Sequence, residues 1–362
     1  MNLKAKISFL SLLFIGVYFF LTAFVNQTEI LDSSRKVADV LNKLGDKPAL
    51  HFIASSQLDS AKVNAGYKLV TTGFATSDSK RQSKHFVCTD CHNIEREDPD
   101  LTQSNPEARL EYVSENGLKF LPATTLYGTV NKKHWYNGDY YQKYGELVDP
   151  ARDTLENAIQ LCAVVCSQGR ALEKDEMDAV MHYFNSIGYT LNDLNLTDKE
   201  LTYISQSIPE KALDDDKNDA MDIIESKYLE YSPATFMKPM AIEKRNLGKK
   251  NPRGSLERGK KIYDLSCMTC HKEGGVTNYK LSNEQLTHKH LKYWAGTNKV
   301  FSVYNITRKG TYSKNGYKPY MPNYTKERLS DQQLEDLMSY INAMADNGTI
   351  SKKYRTISTP SF

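Results

Sequence analysis

Two pentapeptides in this chain carry residue types that do chemistry: Cys88-Thr89-Asp90-Cys91-His92 and Cys267-Met268-Thr269-Cys270-His271, which together hold four of its six cysteines. Three chemistries use cysteines spaced this way: a zinc site, a redox dithiol and covalent haem attachment. Structural zinc takes four ligands, often from two such pairs within a few tens of residues, but Cys88 and Cys267 lie 179 residues apart. A thioredoxin-like dithiol needs a βαβ surround, and the flanks show no such strands. Only the haem reading uses the histidine after each second cysteine: the thiols form thioethers to the porphyrin and the imidazole becomes the proximal iron ligand. The spacing therefore predicts two covalently bound haem c groups, attached through Cys88 and Cys91 and through Cys267 and Cys270, with His92 and His271 on iron.

Elements must position these residues. "GSLERGKKIYDLSCMTCHKEGG" reads as a helix entering the second attachment site, with Gly259 and Tyr263 four apart on one face. "LSDQQLEDLMSYINAMADNG" reads as a further helix, with a Ser330/Gln333 capping box, an apolar stripe of Leu334, Leu337, Met338 and Ile341, and Gly348 as its stop. Gly259 would let the first helix cross the last one closely, near Tyr340. Together these features resemble class I cytochrome c domains. The resemblance implies a methionine before the last helix as sixth iron ligand, a place that Met321 fills in "GYKPYMPNYTKERLS". His288 and His290 are its rivals, and Met338 and Met344 read as core.

The first half lacks a Met-Pro loop. After Tyr127-Gly128 comes "WYNGDYYQKYG" and then "DTLENAIQLCAVVCSQGRALEKDEMDAVMHYF". With both haem segments in the same order, the chain resembles the thiosulfate dehydrogenase family of di-haem cytochromes, and more distantly the A subunit of the Sox complex. In those proteins an I-x-x-C pattern followed by G-x-x-L supplies a cysteine as distal haem ligand, and here Ile159, Cys162, Gly169 and Leu172 match it. The resemblance implies Cys162 as distal ligand and catalytic residue, with thiosulfate joined into tetrathionate, or the reverse, at that haem. Cys166, four residues on, could take the same place; both could be buried small hydrophobes, or a strained disulfide could join them. His134 and His182 are outside candidates. Met177, Val180, Met181 and Phe184 read as a packing stripe. Relatives often carry arginine around "YYQKYG", where Lys143 is the one basic residue, and they lack the insertion at 190–245.

The fold expected is mainly α: two cytochrome c-like helical domains in tandem behind an N-terminal membrane anchor or signal. Lys4 and Lys6 precede a 19-residue uncharged run, Ile7 to Val25, which is nearly long enough to span a bilayer and is followed by a poor cleavage site. By the positive-inside tendency the remainder lies on the periplasmic side. The divisions read as 1–26 for the anchor, 27–189 for the first cytochrome domain, 190–245 for an acidic helical connector, 246–349 for the second domain and 350–362 for a tail. Residues 1–189 hold 20 basic and 23 acidic groups, 190–241 hold 5 and 11, and 242–362 hold 22 and 10. A basic last third suits a redox partner with an acidic docking surface, and no motif suggests nucleic acid. The expected function is electron transfer from the first haem to the second and on to a respiratory partner, with sulfur oxyanions as substrates at the first. The alternative is a membrane-tethered carrier without catalysis.

Overall fold

The computed structural model describes residues 31–46, 51–76, 79–245, 254–311 and 321–347. The segment read as an anchor, the tail and Gly348 lie outside the described residues. Among those described no helix is long and apolar enough to cross a membrane. The protein is mainly helical, and β-pairing among the described residues is limited to isolated bridges, Lys36 with Thr190 and His134 with Tyr231. The longer helices are α1 (Val37–Leu44), α2 (Ser60–Thr72), α3 (Pro106–Glu115), α4 (Leu155–Leu161), α5 (Lys174–Ser186), α6 (Asp198–Ser207), α7 (Asp214–Glu225), α8 (Leu256–Ile262), α9 (Gln285–Ala295), α10 (Val303–Lys309) and α11 (Asp331–Asn347).

In the C-terminal region α8 crosses α11 where the sequence places a glycine. A Cβ on Gly259 would lie 2.0 Å from the Asp336 carbonyl oxygen and 2.8 Å from Tyr340 Cβ, so no larger residue fits this contact. The capping box of α11 forms as its residues predict: Ser330 N–H donates to Gln333 Oε1 at 2.9 Å, and Gln333 N–H donates to Ser330 Oγ at 3.1 Å. The stripe Leu334, Leu337, Met338 and Ile341 is buried. The first half repeats the arrangement. A Cβ on Gly66 in α2 would lie 2.1 Å from the Ala179 carbonyl oxygen and 2.8 Å from Tyr183 Cβ in α5. In both halves the Cys-x-x-Cys-His segment follows the first crossing helix. Replacing Gly66 with alanine is expected to force the crossing apart and cost about 1–3 kcal/mol, the usual range for overpacking, read as a lower urea midpoint.

The packing does not follow the order of the chain. α3, from the first half, contributes Leu110 and Val113 to the core built on α8 and α11, and Phe120 just beyond it joins them. The acidic connector packs inward: Ile204 of α6 and Ala220 and Ile224 of α7 close on Val37, Val40, Leu41 and Leu44 of α1. A third core lies around α2 and α5 and includes Val180, Met181 and Phe184 with Met177 partly buried beside them, as their stripe predicts.

Candidate haem sites

The second attachment segment is placed by α8. Its last turn widens into a π-type turn over Tyr263–Cys267 and leads into a short helix, Met268–His271. Cys267, Cys270, His271 and Met321 all line one cavity of about 60 Å³. His271 Nδ1 lies 2.6 Å from the Tyr279 carbonyl oxygen. A carbonyl only accepts, so Nδ1 carries the proton and Nε2 keeps its lone pair, which is the tautomer that binds a metal. Burial pushes the Cys267 thiol up to about 12 and the Cys270 thiol to about 11. Met321 is held through its backbone: its N–H donates to Thr311 Oγ1 at 2.7 Å and its carbonyl accepts from Thr311 N–H at 2.9 Å. Gly310 permits this closure, since at φ +63° a Cβ there would lie 2.4 Å from the Met321 oxygen.

The rival histidines lie elsewhere. His290 packs against Trp294 and Tyr279, and neither it nor His288 lines this cavity. His288 is 0% exposed, between the rings of Tyr263 at 5.0 Å and Tyr340 at 5.4 Å, and neither ring nitrogen has a hydrogen-bond partner. Burial lowers it to about 4. The unfolded chain takes up this proton near pH 6.5 and the folded chain only near 4, so stability is complete above the first value and drains away as pH falls to the second. Down to pH 5 the loss is expected to be about 2 kcal/mol. The variant His288→Phe should lack that acid-dependent share, which is measured by comparing its urea midpoints with those of the parent at pH 7.5 and 5.

The first attachment segment is a 3-10 turn over Cys88–Asp90. The Asp90 carboxylate accepts from Val87 N–H at 2.8 Å, and the Cys88 carbonyl accepts from Cys91 N–H at 3.1 Å and His92 N–H at 3.0 Å. Cys88, Cys91 and His92 line a cavity of about 230 Å³. Cys88 is exposed at that cavity, and the protein surrounding its thiol pushes it up to about 11. His92 repeats the tautomer of His271, with Nδ1 donating to the Thr124 carbonyl at 2.6 Å.

Ile159, Cys162, Cys166 and Leu172 line the same cavity. The matched Gly169 is required by contact, because a Cβ there would lie 2.3 Å from Gln82 Nε2. α4 ends in a second π-type turn, Cys162–Cys166, a wide-turn feature frequent at functional sites. No disulfide joins Cys162 and Cys166. The neighbouring Cys166 and then burial push the Cys162 thiol well above its ordinary range. Cys166 Sγ lies 3.8 Å from the Tyr136 hydroxyl and 3.7 Å from the Tyr144 hydroxyl. These tyrosines were not anticipated, although Tyr136, Tyr140 and Tyr144 recur every four residues and that period was the available signal. His134 lines the cavity with half its side chain exposed, 3.7 Å from Asp153. His182 does not line it; its Nδ1 accepts from Asp59 N–H at the start of α2, at 3.2 Å. Lys143 also stays off the cavity wall and donates to Asn323 Oδ1 at 2.6 Å and to the Lys309 carbonyl at 3.3 Å.

One five-residue segment joins the two sites. Phe120 N–H donates to the Leu265 carbonyl at 2.9 Å, just before Cys267, while Ala123 N–H donates to the Cys91 carbonyl at 3.1 Å and Thr124 receives the His92 proton. Phe86, Pro122 and Pro322 line both cavities, so the sites share a wall. Beside it a buried network crosses between the halves: Glu97 pairs with Arg328 at 2.7 Å and with Arg109 at 3.5 Å, and accepts from Thr125 N–H at 2.7 Å and Asn93 Nδ2 at 2.8 Å. The connector contributes too. Residues 232–234 line the larger cavity, Asp139 N–H donates to the Ala234 carbonyl at 2.8 Å, and Asp139 Oδ2 accepts from Phe236 and Met237 N–H.

A helical protein in which a Cys-x-x-Cys-His segment and a methionine meet in one cavity, beneath a glycine-mediated helix crossing, is of the covalent-haem electron-transfer class. Comparison with known proteins agrees. Residues 256–345 match the family model described as cytochrome c. Cytochrome c6 of Cyanidium caldarium is 33% identical over 94 residues, which are 26% of this chain and 75% of that protein. No solved structure matches. The chain belongs to the cytochrome c family. Its C-terminal region is a cytochrome c domain, which implies covalent haem c, a role in electron transfer and a redox partner.

Proposed function

We propose that the chain is a di-haem cytochrome that passes electrons from a haem at Cys88, Cys91 and His92 to a second at Cys267, Cys270 and His271, and on to a respiratory partner on the periplasmic side of the membrane. The shared wall of the two cavities carries this reading, because centres separated by single side chains are close enough for direct transfer. The repeated glycine crossing and the repeated histidine tautomer support the second haem. When bound, each haem supplies a reversible one-electron iron centre whose potential follows its axial ligands. His92 and His271 would offer Nε2 to iron, Met321 a soft thioether to the second, and Cys162 a thiolate to the first. A thiolate donates electron density and lowers the potential, and it can bond to sulfur substrates.

In the enzymatic form, oxidising two thiosulfate ions to tetrathionate forms one S–S bond and releases two electrons, one for each haem. The face where electrons leave would be the basic last third. There Leu286, Tyr293, Val300 and Phe301 are exposed among Lys280, Lys289 and Lys299, which suits an acidic partner with an apolar centre. The carrier reading is favoured by one observation: Lys143, the basic residue of the tyrosine segment, donates to Asn323 Oδ1 and does not itself line the cavity. Intact mass and the pyridine haemochrome spectrum should give two haems per chain, and one would sink the di-haem reading. Thiosulfate added to oxidised protein should then raise the reduced α-band. No change there, nor on adding tetrathionate to the reduced protein, would leave the carrier.

A further inference from the structure

We infer that Lys132, Asn323, Thr325 and Arg328 form a seat for two carboxylates, the propionates of the haem attached at Cys88 and Cys91. The inference rests on the two-haem reading and adds to it the residues that hold the far end of the cofactor. All four residues line the larger cavity together with Cys88, Cys91 and His92. Three present buried polar atoms with no hydrogen-bond partner: Asn323 Nδ2, Thr325 Oγ1 and Arg328 Nε, in residues 6%, 3% and 6% exposed. A buried polar atom left without a partner is costly, and these three come from one six-residue stretch whose residues line one cavity. Other buried arginine Nε atoms also lack partners, at Arg109, Arg152, Arg170 and Arg308, but none of those residues lines this cavity.

Charge points the same way. The cluster holds three cations, the buried Arg109 and Arg328 and the half-buried Lys132, against two carboxylates, the buried Glu97 and the half-buried Asp98. One cation is in excess, and an uncompensated buried charge is costly. Lys132 donates to the neutral Ser232 hydroxyl, and burial lowers its ammonium to about 8. Ammonium, guanidinium and amide NH₂ groups only donate, and the Thr325 hydroxyl can, so the complementary ligand is an acceptor-rich anion. A haem tethered through Cys88 and Cys91 brings its two carboxylates to this cavity at high effective concentration, whereas a free anion must bind from solution. The seat draws on residues 323–328, just after Met321, so the C-terminal region would complete the first haem's site.

The test uses full-length holoprotein with the variants Lys132→Met and Thr325→Val. Intact mass counts the haems, and spectroelectrochemistry reads both potentials against pH, with a Cys88→Ser/Cys91→Ser protein identifying the C-terminal haem. Removing a cation beside the carboxylates favours the oxidised form. Lys132→Met should therefore weaken reduction of the first haem roughly tenfold, about 59 mV for one electron. It should also give that haem a pH-dependent potential between about pH 5 and 8, as a carboxylate deprived of its cation titrates there. Thr325→Val should shift it less, in the same direction, and the second haem should stay unmoved. Unchanged potentials in both variants with two haems present would overturn the inference. So would a wild-type potential that depends on sulfate at constant ionic strength and loses that dependence in Lys132→Met, since a free oxyanion would then fill the donors. A single haem in the parent overturns it together with the two-haem reading, and the mass distinguishes that failure from the others.

Discussion

Replacing Cys162 with methionine is expected to raise the potential of the proposed N-terminal haem by on the order of 0.2 V, within the roughly 0.8 V range over which axial ligands set haem potentials. A thiolate stabilises ferric iron by charge and by donation, whereas a thioether is neutral and soft, so the exchange favours the reduced state. Cys162 lies in the cavity lined by Cys88, Cys91 and His92, at the start of a wide turn that also brings Cys166 there. Burial and the second sulfur make an isolated Cys162 thiolate costly, so ionisation needs a compensating cation such as iron. The companion variant Cys166→Ser should move the potential much less, through lost contact with the Tyr136 and Tyr144 hydroxyls. A large shift for Cys166→Ser with none for Cys162→Met would transfer the ligand role to Cys166. Absence of a shift in both would remove thiolate ligation, and with it the specific chemistry proposed for sulfur substrates.

The second large effect belongs to the bridge between the halves. Glu97 is fully buried; burial opposes its ionisation, but Arg328 and Arg109 outweigh that and hold its carboxyl below the usual range. Arg109, also fully buried, is lowered by burial to about 9 and stacks over Phe120 at 3.9 Å. Glu97→Ala would leave two guanidinium groups facing each other without their shared carboxylate, and the expected cost is about 3–5 kcal/mol. The double variant Glu97→Ala/Arg109→Met should recover part of it, because one of the stranded charges is gone. Urea unfolding followed by circular dichroism checks both, and a loss under about 1 kcal/mol for Glu97→Ala would place the network among pairs that barely stabilise.

The parts that depend on near neighbours were legible in the sequence. The capping box on α11 and the apolar stripes of α5 and α11 follow from spacings within two helical turns, where covalent geometry ties residue type to position. The match of Ile159, Cys162, Gly169 and Leu172 placed a cysteine toward the first cavity, and the structure brings Cys162 and Cys166 there together. Tertiary structure alone decided what long-range packing decides. α3 lies in sequence within the first half yet buries its apolar face in the C-terminal core, since burial counts area without regard to chain order. His288 and His290 were admissible ligands by type, and the orientation of α9 turned them away from the cavity. The charge asymmetry gave no hint that Arg109, Glu97 and Arg328 would meet 219 residues apart, nor that Asn323, Thr325 and Arg328 would line a cavity built by the other half. A sequence shows which side chains can carry a charge or bind iron; which of them share one dry space depends on how the helices cross.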